Sequence, residues 1–331
     1  MLNHPAIKEL SMLDVFFTVD VEIWCDGWKN IDAKFPAAYS RYILGPTPAG
    51  AFGLPYQLQV LNDHNLAGVF FIEPLFSARF GAQALSDIVG MVAGAGQEAQ
   101  LHLHTEWVDE ARRPLLPAAC GKRQHLRYFS RAEQAILIEA GVGMLRDAGA
   151  TQINAFRAGN FGFNRDTLLA LADNGLAFDS SYNASILGPD SGVMPGVPMT
   201  EPAACDGVHE YPMLVFNDGT RALRHAQLTS CSSDEIEGLL WQALEQRRSA
   251  FVLLSHGFEL LNLAMNRADP VVVKRFRKLC AFLDRNRDSF RATGFHGLAP
   301  ANAARQPAPL ASPRYRTGLR MMQQAYRRRY R

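Results

Sequence analysis

Short apolar runs alternate with longer amphipathic segments along most of this chain, and this alternation constrains the fold more than any other feature. The runs Leu13–Val21 (L-D-V-F-F-T-V-D-V) and Ala250–Ser255 (A-F-V-L-L-S) are rich in β-branched and aromatic residues, which is typical of buried strands. Segments such as Ser130–Ala148 and Pro270–Asn286 begin with helix-capping signals. Strands that alternate with helices of about 10–20 residues predict βαβ units and a parallel sheet.

The same criteria predict the other elements of the chain. We expect further strands at Ala67–Ile72, Glu98–His104, Gln152–Arg157, Leu176–Ser180, Val208–Leu214 and Gly294–Leu298. We expect further helices at Pro55–His64, Gln83–Ala95, Asn164–Asn174 and Ser232–Arg247. Two long segments, Cys25–Phe52 and Tyr182–Cys205, are predicted to be loops or insertions.

About seven or eight strand–helix units fit before residue 298, and no change of composition divides them. We therefore predict an α/β fold in which residues 1–298 form one distorted (β/α)7-type barrel domain. A doubly wound open sheet is the alternative, although the chain lacks the glycine fingerprint of nucleotide-binding folds of that kind.

Polar side chains follow five of the predicted strands, at the carboxyl ends where active sites of parallel α/β proteins gather. They are Asp20 and Glu22, His102 and His104, Arg157 and Asn160, Asp179 to Tyr182, and Ser255 and His256. Each pair alone has a structural explanation, such as a salt bridge or a hydrogen-bonded core histidine. Five such strand ends together favour a functional site.

The stretch A-Q-L-H-L-H-T-E-W-V contains the most specific of these pairs, because His102 and His104 stand two residues apart on a predicted strand. Side chains at that spacing point to the same face, which suits two ligands of one metal ion. Asp20 and Glu22 have the same spacing. Nitrogen and oxygen ligands without thiolate favour Zn²⁺, with Co²⁺, Ni²⁺ or Mn²⁺ as alternatives, so the pattern predicts a metal-dependent hydrolase.

Five motifs, in the order T-V-D-V-E, H-L-H-T-E-W, F-R-A-G-N, D-S-S-Y and L-S-H-G, resemble those of the polysaccharide deacetylases of the NodB-homology type. The resemblance spans about residues 13 to 260. It implies a NodB-like deacetylase fold and the metal-dependent removal of an acetyl group from an N-acetylated sugar.

The resemblance also implies roles for four side chains. Asp20 is similar to the family's catalytic base, and Arg157 is similar to the arginine that orients that base. His256 is similar to the general acid of the last motif. We expect Asp179 to hold His256 in its protonated form.

The metal ligands implied by the resemblance are less direct. His102 is similar to the family's first metal histidine, but Val21 and Glu106 stand where the family has an aspartate and a second histidine. We expect Glu22 and His104 to replace them, with Glu106 as an alternative ligand.

Substrate contacts are expected from residues in and near the motifs. A backbone N–H near Asn160 or Phe161 would stabilise an oxyanion. Trp24, Trp107 and Phe161 are candidates for a platform under a sugar ring, although each is equally well explained by core packing.

Residues 299–331 differ from the rest of the chain. They contain eight arginines and no Asp, Glu or Lys, so the remaining chain carries a net charge of −6. We predict a basic, Pro/Ala-rich and then Arg-rich C-terminal tail that is partly disordered or forms a short helix. It would contact an anionic membrane surface or an acidic partner, or serve only as a solubilising tail. The acidic body argues against nucleic acid as a partner.

The five cysteines contain no C-x-x-C pair, and the first residues lack the pattern of a signal peptide. We therefore expect a cytoplasmic protein, peripheral at the inner membrane if the tail binds there.

The predicted function is deacetylation of an acetamido sugar, carried on a lipid- or nucleotide-linked precursor in surface polysaccharide biosynthesis (O-antigen, capsule or exopolysaccharide). Two alternatives stay open. One is a metal-independent hydrolase of a small cyclic amide, and the other is a non-catalytic carbohydrate-binding relative.

Overall fold

The computed structural model describes residues 12–118, 121–220 and 222–329. The strands within these ranges are β1 (Leu13–Val21), β2 (Pro46–Thr47), β3 (Gly50–Ala51), β4 (Val69–Ile72), β5 (Glu98–Leu103), β6 (Ala155–Ala158), β7 (Phe178–Asp179), β8 (Ala203–Cys205), β9 (Val208–Glu210), β10 (Val215–Asn217), β11 (Leu223–His225), β12 (Ala250–His256), β13 (Phe290–Ala292) and β14 (Leu310–Ala311). The α-helices are α1 (Ile31–Tyr39), α2 (Leu54–Asp63), α3 (Ser77–Phe80), α4 (Gln83–Gly94), α5 (Arg131–Asp147), α6 (Arg165–Asp173), α7 (Ser233–Glu245), α8 (Pro270–Arg285) and α9 (Arg314–Arg329).

One curled sheet carries the main architecture, with strand order β12-β1-β4-β5-β6-β7-β9-β8 and β13 beside the first residues of β1. From β12 to β9 the neighbouring strands are parallel, and only β8 runs antiparallel, against β9. Each parallel crossover is long enough to hold a helix, as βαβ units require. The sheet therefore forms a half-barrel whose strands end together at one rim.

The two faces of the sheet have different contents because side chains alternate along each strand. In β1, Val19 and Val21 belong to the large apolar layer between sheet and helices. Phe16 belongs instead to a second, smaller apolar cluster inside the half-barrel. Asp20 and Glu22 have the parity of Phe16, so both carboxylates project to the inner side, above that cluster.

Most predicted elements are confirmed, with small differences at their ends. Leu13–Val21 forms β1 as predicted, and Ser130 caps α5 through a reciprocal pair of hydrogen bonds with Glu133. The predicted α/β class and barrel type are confirmed as well.

One predicted strand is wrong. Residues 294–298 form no strand, because the chain there turns onto Glu98, whose carboxylate accepts from the backbone N–H groups of Phe295 (2.9 Å) and His296 (3.0 Å). The last strand of the main sheet is β13 instead. The segment 25–52, predicted to be a loop or an insertion, contains α1, which buries Ile31 and Ala38.

The arginine-rich segment lies against the rest of the chain over its described residues, 299–329. Strand β14 pairs with β10, and α9 follows it after two residues. Residues 330 and 331 of this segment, and residues 1–11 of the predicted barrel domain, lie outside the described residues. Among the helices that are described, none is long and apolar enough to cross a membrane.

Close packing of α5 on β5 holds the histidine-bearing strand in place, and Gly141 makes that approach possible. A Cβ at Gly141 would lie 2.9 Å from side-chain carbons of Leu101 and Leu103, whereas a Cβ at Gly143 would meet nothing within 4 Å. We expect Gly141→Val to lower the free energy of unfolding by about 1–3 kcal/mol through overpacking. The matched variant Gly143→Val should change it by less than about 0.5 kcal/mol. Denaturant unfolding measures both values, and equal effects of the two substitutions would contradict the packing argument.

Candidate active site

The carboxyl rim of the half-barrel surrounds a cavity of about 550 Å³. Polar residues from β1, β5 and β12 meet there, because their inward positions end at the same level of the sheet. The polar side chains that line the cavity include Asp20, Glu22, His102, His104 and His256. The sequence prediction that these strand ends converge is therefore confirmed for five of the named residues.

Arg157 on β6 holds Asp20 from below the cavity. Its Nη1 donates to Asp20 Oδ1 (2.7 Å) and to Thr18 Oγ1 (2.8 Å), and its Nε donates to the carbonyl of Ser180 (3.0 Å). Arg157 is fully buried, and its guanidinium group lies over the aromatic ring of Phe71. The predicted contact between Arg157 and Asp20 is present, and it leaves the other carboxylate oxygen of Asp20 to face the cavity.

His102 presents one ring nitrogen to the cavity. Its Nδ1–H donates to the backbone carbonyl of Arg157 at 2.8 Å. A neutral imidazole with its proton on Nδ1 carries a lone pair on Nε2. That Nε2 lies 3.6 Å from Glu22 Oε2 and 3.9 Å from Asp20 Oδ2. The ring is thus set in the tautomer that a metal-ligating histidine needs.

Glu22 and His104 form a buried ion pair, with Glu22 Oε2 at 2.6 Å from His104 Nε2. Burial disfavours the charge on Glu22, but the attraction of His104 and its hydrogen bond outweigh burial and hold the pKa of Glu22 well below the usual value. Burial also opposes the charge on His104, yet Glu22 and Glu106 overcome it and raise its pKa to about 10. In the absence of an ion, His104 is therefore protonated and donates from Nε2 to Glu22 Oε2.

Glu106 lies on the far side of His104 from the cavity ligands. Its Oε2 is 3.4 Å from His104 Nδ1, and its Oε1 accepts from the amide of Asn160 at 3.2 Å. A carboxylate on the second ring nitrogen orients a metal-ligating histidine and raises its basicity. This placement favours Glu106 as the partner of His104 over the alternative that it is itself a ligand.

The donor set fits a divalent ion. The ligand atoms of Glu22, His102 and His104 all lie within 4.8 Å of one another. Two imidazole nitrogens and one carboxylate oxygen are a donor combination that catalytic zinc sites use, with a further position left to water or substrate. Because ligands must be deprotonated, binding of an ion would release the proton that His104 donates to Glu22.

His256 is held by Glu259 and not by Asp179, so the predicted contact between Asp179 and His256 is wrong. The Nδ1–H of His256 donates to Glu259 Oε1 at 2.9 Å. Burial disfavours protonation of His256, but the hydrogen bond and the charge of Glu259 outweigh it and raise the pKa to about 9. His256 is therefore a protonated imidazole at neutral pH, with its second N–H left for the cavity.

Asp179 is committed elsewhere because β7 pairs with β9, which sets Asp179 opposite Glu210. Ser181 Oγ donates to Asp179 at 2.6 Å. Burial raises the pKa of both carboxyls, and the charge of Asp179 raises that of Glu210 further, well above its usual value. Asp179 and Glu210 thus face each other across β7 and β9, and Asp179 is not available to hold His256.

The turn after β6 reaches the cavity in a strained conformation. Asn160 and Phe161 both line the cavity and have positive φ angles of 54° and 55°. Such left-handed residues cost about 1–2 kcal/mol each, and they concentrate at functional sites. Gly159 precedes them, and a Cβ there would lie 2.7 Å from His104 Nδ1, so only glycine fits beside that ring.

The two predicted tryptophans have different positions. Trp24 lines the cavity, with its ring edge-on to His104 at 4.7 Å between centroids. Trp107 is buried and packs edge-on against Trp28 at 4.9 Å. The expected substrate contact of Trp107 is therefore wrong, because the short 3₁₀ helix after β5 turns its ring into the core.

Several cavity residues were missed by the sequence reasoning. The long segment 182–202 contributes Ile186 and Leu187, which no local pattern distinguishes. His225 ends β11 and Gln227 stands two residues later, the same spacing that made His102 and His104 conspicuous, so that signal was available. Others are His125, Ala158 and Leu254.

Comparisons with known proteins give similar structures but no similar sequences: no family model and no curated protein matches the chain. The chain is similar to a Mycobacterium smegmatis protein provisionally assigned as a polysaccharide deacetylase, at 18% identity and a TM-score of 0.55, over 93% of this chain and 98% of that one. It is similar to 4-alpha-glucanotransferase from Thermococcus litoralis, at 11% identity and a TM-score of 0.53, over 91% of this chain and 42% of that one. A family 4 carbohydrate esterase from Streptomyces lividans in complex with acetate matches at 11% identity and a TM-score of 0.40, over 85% of this chain and 91% of that one.

The first two likenesses establish the fold of this chain. The resemblance to the NodB-type deacetylases drawn from the motifs is confirmed at that level. Since a glucanotransferase has a comparable likeness, the fold by itself does not select a reaction. The reaction has to be argued from the side chains at the rim.

The metal site can be tested without any substrate. We expect about one divalent ion per chain after incubation with zinc and gel filtration, and its loss in both His102→Ala and Glu22→Ala, because each removes a ligand. Glu106→Gln should keep the site but weaken its affinity by about 10–100-fold, since it removes only the group behind His104. Elemental mass spectrometry and competition with a chelating dye measure content and affinity.

The variant Glu98→Gln is the matched control, because its carboxylate binds the turn at 294–296 and does not line the cavity. Retention of the ion in His102→Ala, or its complete loss in Glu106→Gln, would contradict this ligand assignment.

Proposed function

We propose that this protein is a metal-dependent hydrolase that removes the N-acetyl group from an acetamido sugar. One observation carries the proposal. A single cavity contains a carboxylate held by a buried arginine, a protonated histidine held by a buried carboxylate, and three grouped metal-ligand side chains. Hydrolysis of an amide needs a base for the attacking water, a charge to stabilise the oxyanion and an acid for the leaving amine.

Glu22, His102 and His104 would hold the ion, most suitably Zn²⁺. When bound there, a zinc ion lowers the pKa of water toward about 7 and polarises a carbonyl oxygen. The role of the three side chains is to fix the ion at the rim, with His102 oriented by a backbone carbonyl and His104 by Glu106.

Asp20 acts as the general base. Arg157 occupies its Oδ1, so the proton of the attacking water passes to Oδ2, the oxygen on the side of His102. The water oxygen forms a bond to the acetyl carbon while the strained turn at Asn160 and Phe161 supplies a backbone N–H toward the oxyanion.

His256 acts as the general acid. Its Nδ1–H remains on Glu259, and its Nε2–H passes to the sugar nitrogen as the carbon–nitrogen bond breaks. The products are acetate and an amino sugar; Asp20 then gives its proton to solvent, and His256 takes up a proton from solvent, which restores both groups. Glu259 is a positioning residue in this scheme, because it holds the ring and its proton without touching the substrate.

The cavity is of a size for a mono- or disaccharide, since ligand pockets of about 300–1,000 Å³ enclose molecules of that scale. Trp24 and Phe161 supply aromatic wall, and Ile186 and Leu187 from the segment 182–202 close another side. A cavity with these walls favours a substrate whose terminal sugar enters it. We propose a lipid- or nucleotide-linked precursor of a surface polysaccharide, handled in the cytoplasm.

The reaction is tested by acetate release from a panel of acetamido-sugar precursors with the zinc-loaded protein. We expect Asp20→Asn and His256→Asn each to lower kcat by about 10²–10⁴-fold, because each removes a proton-transfer group. The control His64→Asn changes a histidine whose partner, Asp284, is on α8, and it should leave kcat unchanged.

The other outcomes of this assay each overturn the proposal. Full activity after thorough chelation would identify a metal-independent hydrolase, for which small cyclic amides are the next substrates to test. Sugar binding without acetate release, unaffected in Asp20→Asn, would identify a carbohydrate-binding protein.

The role of Glu259 predicts a change in pH dependence. His256 must be protonated to act as the acid, so activity falls as pH rises through its pKa, which Glu259 raises to about 9. Glu259→Gln removes that charge, lowers the pKa of His256 and shifts the alkaline limb of the kcat profile to lower pH. Glu245→Gln, on the exposed side of α7, is the matched control. An alkaline limb that does not move in Glu259→Gln would contradict the assignment of His256 as acid.

A further inference from the structure

The helix α9 is docked on the protein through its polar side. Thr317 is buried and its Oγ1 donates to the carbonyl of Asp218 at 2.9 Å. Arg327 Nε donates to Asp269 Oδ2 at 2.6 Å, and Gln323 accepts from Arg275 at 2.6 Å. A surface helix ordinarily buries its apolar side and exposes its polar side, so the arrangement of α9 is reversed.

The apolar side of α9 consequently faces outward. Tyr315, Leu319, Met322 and Tyr326 follow one another at spacings of four, three and four residues, which places them within an arc of about 60° on the helix. All four are more than a third exposed, and Met322 is the most exposed of them at 71%. Met321 is also exposed, on another side of the helix. Apolar surface concentrated in this way marks an interaction site.

The charge around the stripe indicates what it binds. Residues 299–331 contain eight arginines and no acidic residue; Arg320 and Arg327 pair with Glu235 and Asp269 of the body, whereas Arg314 at the start of α9 is exposed. Two copies of this segment facing each other would bring like charges together, which disfavours self-association through the stripe. A basic helix with Leu and Met on one side and Tyr near its ends has the composition of helices that lie in the headgroup region of an anionic membrane.

We propose that α9 seats this protein on an anionic lipid surface, with Leu319 and Met322 inserted among the headgroups. The polar contacts with the body keep α9 in an orientation in which its apolar stripe faces outward. The helix therefore need not unfold or leave the body in order to bind a membrane. This orientation needs no large change of structure on binding, unlike a helix that must first expose a buried apolar side.

The position of α9 also relates the membrane to the active site, a point that rests on the proposed function. A second cavity beside α9 is lined by Gln324 and Arg327 of the helix, by the exposed Leu263 and by Glu259. Glu259 is the residue that holds His256. The helix proposed to bind the membrane therefore lies near His256 and the catalytic cavity. A sugar that is anchored in the membrane by a lipid needs such a short distance to reach the cavity.

Vesicle binding of the full chain tests the proposal without any substrate. We expect the protein to co-sediment with phosphatidylcholine vesicles that contain about one third phosphatidylserine, and to bind pure phosphatidylcholine vesicles much more weakly, because a cationic helix is attracted to anionic lipid. The double variant Leu319→Ser/Met322→Ser should bind the anionic vesicles at least about tenfold more weakly, since it removes the inserted apolar side chains.

The matched control is Ile136→Ser, an exposed apolar residue on α5, which should bind as the unmodified protein does. Thermal unfolding of all variants should be unchanged, because the substituted side chains are at the surface. Three results would each overturn the proposal: no binding to anionic vesicles, equal binding by the double variant, or concentration-dependent dimerisation that the double variant abolishes, which would make the stripe an interface between copies. Vesicle binding with no acetate release would leave this inference standing and refute only the enzymatic proposal.

Discussion

The buried ion pair between Arg157 and Asp20 is the interaction on which the arrangement of the rim depends. Arg157 comes from β6 and reaches across the inside of the half-barrel to β1, while its remaining donors bind the end of β7. A guanidinium without solvent contact is stable only when its donors are paired, and removal of one partner from such a pair typically costs about 3–5 kcal/mol. The guanidinium that orients Asp20 therefore also holds β1, β6 and the end of β7 together. The backbone carbonyl of Arg157 also fixes the tautomer of His102. Arg157 therefore positions both the proposed base and a proposed metal ligand.

The alternation of side chains along the strands explains why so much chemistry is confined to one end of the sheet. Inward positions at the bottom of the half-barrel are apolar, as with Phe16 and Val252, and those at the rim are charged or polar, as with Asp20 and His256. The apolar floor excludes water from below and strengthens the electrostatic interactions above it. Val21 points to the opposite face, into the layer between sheet and helices. A ligand at that position would lie outside the cavity, which is why Glu22, one residue further on, has the geometry to replace it.

Elements and site residues could be predicted from the sequence where the local pattern and the alternation of side chains along a strand decide the outcome. The bounds of β1, the cap of α5 and the convergence of Glu22, His102 and His104 all follow from period, capping chemistry and the rule that parallel strands end at one rim. Prediction failed where the outcome depended on which distant segments come together. The motifs predict Asp179 as the partner of His256, yet the pairing of β7 with β9 places Asp179 against Glu210, and the turn after His256 supplies Glu259 instead. Trp107 has the composition of a sugar platform, but the course of the chain after His104 buries it.

The amino-acid sequence by itself determined the class of fold and the set of groups available for catalysis, because hydrophobic period and residue type are local properties. It also determined that residues 299–331 are strongly basic. The tertiary structure decided how those groups are paired: which carboxylate lies behind His104, which one holds His256, and which side of α9 faces solvent. These choices depend on contacts between residues that are distant in the chain, and many pairings satisfy the same local pattern equally well. Only the packing of the whole chain, with each buried charge matched to a partner, selects one of them.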